Sequence, residues 1–321
     1  MYSTGRWPRV ATTVAGIALL SGCGGNGLPV ASFSSGASPQ SRSLAPPATS
    51  GDLLYVANKR ASQGVNVLTF PQGKVVTTIK EIGTVVTTCS DTSGNVWIAT
   101  VRKGSHPFYL YKFRHGGTKP VETRHTRRGA SGCAVDPTTG NLAVVSYGGS
   151  SDGVVDVWPG ARKGKPAFFF TGFAPAGCAY DDSGDLFVDG IGGTGVALAE
   201  LVKGGKNFTD LTLGKNSGWT VTNVQWDGTY IALAASTKSG SASIYRIQVS
   251  GERGKIVQMV HLQNLASWPH FVIANGEILA TQRGAVLRKI GLYDYPAGGK
   301  ALDVFSGFDD PHGLAISVKP K

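Results

Sequence analysis

From Asp52 onward, short runs of apolar residues alternate with turns built from Asp, Asn and Gly. DLLYVAN, NVWIAT, NLAVV, DLFVDG and YIALAAS are each too short for a helix, and they are rich in the Val, Ile, Tyr and Phe that favour strands. Five segments share one grammar of apolar strand, turn with Asp or Asn and Gly, then a second apolar strand. They are CSDTSGNVWIA, CAVDPTTGNLAVV, CAYDDSGDLFV, VQWDGTYIALA and VIANGEILA. Their turn glycines Gly94, Gly140, Gly184, Gly228 and Gly276 fall 44–48 residues apart. Each unit then continues into a third strand that ends at a hairpin, as in LTFPQGK, LYKFRHGGTK, VDVWPGARKGK, AELVKGGK, YRIQVSGERGK and LYDYPAGGK, followed by a fourth strand. Four short strands in a period of this length predict an all-β β-propeller.

The two ends of the chain do not match the middle. DLLYVAN has no inner strand before it, and DPHGLAIS near the C-terminus has no second strand after it. Joined, they complete one unit. This predicts a ring of six blades in which the N- and C-terminal strands share one blade and leave no open edge. A seven-bladed count is the main rival.

Residues 1–22 read as an export signal. Arg6 and Arg9 precede an apolar run from Val10 to Leu20 that is too short to span a bilayer, and it ends in Leu20-Ser21-Gly22-Cys23. That tetrad resembles the bacterial lipobox, which implies lipidation of Cys23 and membrane attachment through its acyl chains. Residues 23–50, rich in Gly, Ser, Pro and Ala, read as a flexible linker after the lipidated Cys. The propeller takes 51–321. These features predict a lipid-anchored, extracytoplasmic protein of a bacterial cell envelope, monomeric in the simplest reading.

The propeller pattern resembles the NHL- and YVTN-type propellers of bacterial envelope proteins, and more loosely the six-bladed gluconolactonase-like and strictosidine-synthase-like groups. The likeness covers roughly residues 51–317 and rests on LYVAN, PAGCAYDDSGDLFVDG and PHGLAIS. It specifies fold far better than function.

Composition narrows the function. With 41% hydrophobic and 16% charged residues, most of the chain is too apolar for disorder. The formal charge is +11, and losing Arg6 and Arg9 with the signal leaves +9. Lys112, Arg114, His115, Lys119, Arg124, His125, Arg127 and Arg128 crowd residues 112–128 against the single Glu122, either as a patch for anionic headgroups or as solvated strand residues. An exported lipoprotein makes nucleic acid an improbable partner. Walker, GxSxG, HExxH and EF-hand motifs do not occur.

Candidate ligand residues follow from the fold resemblance, which gathers two sets of loops around one channel mouth. The loops between second and third strands bring Lys59, Arg60, Arg102, Lys103, His106, Lys238 and Arg283, opposed by Asp152 and Asp189. The approaches to the inner strands bring Arg127, Arg128, Phe173, Trp219, Trp268, His270, Asp310 and His312. Cations beside exposed aromatic rings suit an anionic or carbohydrate-like ligand, or a protein partner. His270 and His312 each follow a proline in matching positions (WPHFVI and DPHGLAI). With Asp310 they form the nearest approach to a catalytic or divalent-metal site, as in a lyase or lactonase, although the acidic ligand set of a lactonase is missing. The leading expectation is a binding module with no cofactor.

Cys89, Cys133 and Cys178 take one equivalent position on successive inner strands, filled elsewhere by Val224, Val272 and Leu314. The expected spacing of neighbouring blades, beyond the roughly 7 Å Cα limit of a disulfide, predicts three free thiols packed as small hydrophobes.

Overall fold

The computed structural model describes residues 51–59, 64–101, 108–126, 128–146, 153–193, 195–214, 219–237, 240–265, 267–282 and 288–321. It is a six-bladed β-propeller, each blade a four-stranded antiparallel sheet. The inner strands, in ring order, are Pro311–Ser317, Thr84–Ser90, Gly132–Val135, Ala174–Tyr180, Thr220–Trp226 and Phe271–Ala274. We number the blades 1 to 6 in that order. The face where inner strands begin is called upper, and the face where they end is called lower.

Blade 1 is closed as expected. The strand Leu53–Asn58 pairs with Pro311–Ser317 on one side and Val65–Thr69 on the other. Leu53 lies opposite Ser317, and Ala57 opposite Gly313. The first described strand therefore starts at the lower face, beside the end of Pro311–Ser317.

The Asp/Gly turns form for local reasons. Asp91 accepts the amides of Ser93 and Asn95, and Asp181 those of Ser183 and Asp185. Gly94 and Gly184 then take φ of 78° and 89°, which a side chain would strain. In blade 6 the pair Asn275-Gly276 makes a two-residue hairpin with both φ values positive.

The apolar core is divided into six clusters of buried residues, one between each pair of neighbouring blades. Among the described residues every cluster lies within 53–316, inside the body 51–321.

Near the axis each junction is bridged differently. Ser90 Oγ donates to the Ile316 carbonyl at 2.6 Å, joining blades 2 and 1. Ser131 Oγ donates to the Pro175 carbonyl at 3.1 Å, joining blades 3 and 4. Gly177 of blade 4 sits so close to blade 5 that a Cβ there would stand 3.3 Å from Asn223 Cα. Asn223 Nδ2 and Gln225 Nε2 both donate to the Phe271 carbonyl, at 2.8 and 2.9 Å, holding blade 5 to blade 6. The His270 and His312 rings meet at the junction of blades 6 and 1, with centroids 4.4 Å apart.

The remaining junction corrects an expectation. Cys89 and Cys133 form a disulfide between blades 2 and 3, with Cα atoms 5.7 Å apart. Inner strands converge on the axis, so equivalent positions on neighbouring blades come within the usual disulfide range. Among the described residues Cys178 is the one free cysteine, and it is buried. Burial, with Asp189 adding to it, pushes its thiol far above the ordinary range, so it is an inert packing group. The bridge closes a 44-residue separation, which in the chain-entropy account stabilises the fold by about 4 kcal/mol at most. Cys89→Ser with Cys133→Ser is expected to lower stability by about 2–4 kcal/mol in urea unfolding, with the native blade pairing intact. An unchanged midpoint would show that the bridge contributes nothing.

Candidate functional site

The six inner strands enclose a central channel of about 360 Å³. Its wall includes Thr87, Ser131, Ala176, Thr222 and His270 toward the upper face, and Ser90, Tyr180, Trp226 and Val318 toward the lower. Most of its polar side chains are already engaged in joining blades. Thr222 Oγ1 donates to the Pro269 carbonyl at 2.7 Å, and Gln225 Oε1 accepts the Ile273 amide at 3.0 Å. The channel wall is therefore stiff, and its middle offers a ligand few uncommitted groups.

The upper mouth is different. His270 is half-buried and held by its backbone, which donates to Thr281 Oγ1 at 2.8 Å and accepts the Thr281 amide at 2.8 Å. His312 is half-buried at the second position of its strand. The two rings are tilted 47° to each other. Asp310 adopts φ of 57°, and its carbonyl accepts the Lys59 amide at 3.0 Å, which fixes the loop entering blade 1. Beside it Arg288 pairs with Asp309 at 2.8 Å. Lys59 is exposed at this rim. Trp268, 46% exposed, presents an aromatic surface two residues before His270.

Other expected members of the face are placed elsewhere. Trp219 stacks on Tyr245, with centroids 4.5 Å apart, and is partly buried against the blade 5 core. Phe173 is buried rather than exposed, because it covers Gly190, where a Cβ would stand 2.7 Å from its ring. Asp189 is not a loop charge. The second strand of blade 4 runs on through Leu186–Gly192 and buries it completely. Arg128 lies close enough to the buried Asp156 to act on it. Burial pushes that carboxyl up to about 6, and the guanidinium offsets this only in part. Arg60, Arg102, Lys103, His106, Arg127, Asp152, Lys238 and Arg283, like Cys23, lie outside the described residues.

Sequence reasoning named Asp189 but as an exposed loop charge, and missed its burial. Asp189 pairs with Gly177 in the blade 4 register. The corresponding positions in the other blades hold Ala57, Ile98, Val145, Ala234 and Ala280, all apolar. The missing Cβ of Gly177 makes room for the carboxyl, since one there would stand 2.8 Å from Asp189 Oδ1. Neither oxygen has a partner at full hydrogen-bond geometry. Burial pushes this carboxyl up to about 7, and the nearby amides of Gly177 and of Asp189 itself offset that only in part.

Two imidazoles in contact can share a proton or provide two nitrogen ligands to a metal. A protein metal site usually takes at least three side-chain ligands. Among the described residues, no group of three or more His, Cys, Asp or Glu side chains is arranged to hold an ion. The described site therefore supplies only part of such a ligand set.

No family model matches the sequence, and no curated protein matches it. Solved structures do match. A protein of unknown function from Bacteroides caccae superposes with a TM-score of 0.60 at 13% identity, covering 84% of this chain and 99% of its own. A functionally unknown protein from Desulfotomaculum acetoxidans gives a TM-score of 0.56 at 12% identity, covering 84% and 99%. Hydrazine synthase of Kuenenia stuttgartiensis gives 0.56 at 13% identity, covering 77% and 74%. At such identities the likeness concerns the fold, and the propeller has many uses.

Proposed function

We propose that this is an NHL/YVTN-like lipoprotein of a bacterial envelope whose propeller binds an anionic or carbohydrate-like ligand, or an acidic protein segment, at the upper mouth of its channel. The observation that carries the reading is the rim itself, where the His270–His312 pair, Lys59 and the exposed Trp268 surround one end of a channel of about 360 Å³. Aromatic surface beside cationic or imidazole donors suits sugars and carboxylates. The Cys89–Cys133 disulfide supports export, because such bonds persist in oxidising compartments and are rare in the cytosol.

Trp268→Ala is expected to weaken binding to a positive member of a glycan and uronic-acid panel by about tenfold, equivalent to 1.4 kcal/mol. A panel with no positive member, or an unaffected variant, overturns the reading. Cys23→Ser is expected to move the protein from the membrane to the soluble fraction or to leave it uncleaved. Unaltered membrane retention would sink the anchor.

The contact between the two imidazoles favours a second reading, a lyase or lactonase using His270 and His312, with or without a divalent metal. Metal content and turnover of a lactone panel, compared with His270→Ala and His312→Ala, decide it. No change in either measurement removes the enzyme.

A further inference from the structure

The hairpins between third and outer strands all lie on the lower face, opposite the ligand mouth. Each carries a lysine at or within three residues of the start of the outer strand: Lys74, Lys119, Lys165, Lys206, Lys255 and Lys300. All six are exposed. At least one lysine per blade, in or just past the same hairpin, makes a ring around the lower rim.

Exposed apolar side chains accompany the ring. Val75 and Val76 follow Lys74 and are 61% and 55% exposed, and Phe168 follows Lys165 at 56%. Val121, Ile256 and Leu302 hold the corresponding places after Lys119, Lys255 and Lys300 and are exposed as well. Edge protection alone accounts for a charge on an outer strand, but not for this pairing. It would be met by either sign, anywhere along the strand, and would not place bare apolar groups beside the charge. Cations next to apolar side chains on one rim are the chemistry of a surface that meets lipid headgroups and the upper edge of the acyl chains.

The chain enters the ring on this same face. Gly51 lies against the Lys319 side chain, and the Lys319 amide donates to Asp52 Oδ1 at 2.8 Å, so the residues that follow the linker emerge inside the lysine ring. Asp182, Glu252, Asp294 and Asp303 are exposed on the lower face and the lysines outnumber them, while the acids of three inner turns are held by their own turns. Asp91 and Asp181 hold their own turn amides, and Asp136 holds Thr138 and Thr139.

We propose that the lower face docks on an anionic bilayer surface through this lysine ring, so that the upper mouth points away from the membrane. The proposal rests on the anchored reading only for the direction of the linker. The ring is a property of the body, and its test leaves the anchor out. Residues 51–321, which hold every core cluster of the described residues, are mixed with vesicles of phosphatidylcholine alone or of equal parts phosphatidylcholine and phosphatidylglycerol, and the bound fraction is read by sedimentation.

Binding is expected on the anionic vesicles only, and it should fall as salt rises toward about 0.15 M. Replacing Lys74, Lys165 and Lys255 by Gln should weaken partitioning by about 100-fold. Replacing Lys80, exposed just past the upper end of the outer strand Val75–Ile79, by Gln should leave it unchanged. The ring lysines are exposed, so an unaltered melting temperature confirms that the triple variant is folded. Equal binding to neutral vesicles, no loss in the ring variant, or retention on a soluble acidic polysaccharide without vesicle binding each overturns the proposal. Failure of Cys23→Ser to release the full chain would speak against the anchor and leave this result standing.

Discussion

Arg246→Ala is expected to lower stability by about 3–5 kcal/mol, the usual cost of stranding a buried charge. Asp227 is the reason. Its side chain is fully buried, and Arg246 Nε contacts it at 2.6 Å. Tyr295 of the next blade donates to the same carboxylate at 2.7 Å, and the amides of Thr229 and Tyr230 complete its shell. Burial alone would raise this carboxyl, but the hydrogen bonds from Arg246, Tyr295 and the turn outweigh it and hold it below its ordinary value. Arg246 also lies over the Tyr230 ring, 4.7 Å from its centroid, and donates to Gln258 at 2.9 Å. Removing it therefore loosens the packing within blade 5 as well as stranding the charge. Urea unfolding measures the loss, and Arg246→Lys should recover part of it. A lowered carboxyl stabilises the fold above its unfolded value, near 3.9, and that contribution fades as pH falls through the folded value. The gap between Arg246→Ala and the parent should accordingly narrow in acid. A gap below about 1 kcal/mol at neutral pH would mean that the carboxylate is solvated after all.

Asp189→Ala is expected to act in the opposite direction. A carboxyl raised to about 7 in the folded state and near 3.9 unfolded contributes its full stability below pH 4 and loses it as pH rises through 7. Across that interval the parent gives up about 4 kcal/mol that the alanine variant keeps, at 1.36 kcal/mol per pH unit. Melting curves of the two proteins should converge or cross near pH 4 and separate at pH 8, with the variant the more stable. Parallel curves would show that the carboxyl finds a partner when ionised. Alanine is also what blades 1, 5 and 6 carry at this position, so the substitution imports a side chain the ring already accommodates.

The repeat was legible because each of its parts has a local cause. Asp and Gly at the inner turns make the amide-capped bends, the apolar runs make the strands, and DLLYVAN with PHGLAIS makes a blade only if joined. All of this was found as expected. What was not legible depends on distance from the axis. Cys89 and Cys133 are equivalent in sequence phase, but phase does not say how closely inner strands converge. Asp189 sits in DGIGG, which reads as a loop because three of the next four residues are glycines, yet the strand runs to Gly192. The room for its carboxyl is made by Gly177, on another strand. Phe173 reads as a rim aromatic until Gly190 provides a place to bury it. The lysines were visible in every hairpin motif, but their arrangement as a ring required the topology.

Blade 1 is finished by Pro311–Ser317, laid against Leu53–Asn58 from some 250 residues earlier in the chain. A chain cut short before Pro311 cannot complete the circle, because it lacks the inner strand of that blade. Until Ser317 has been made, the nascent polypeptide has no closed form to collapse into. The locking step of the ring is thereby deferred until both partners of this one pairing exist.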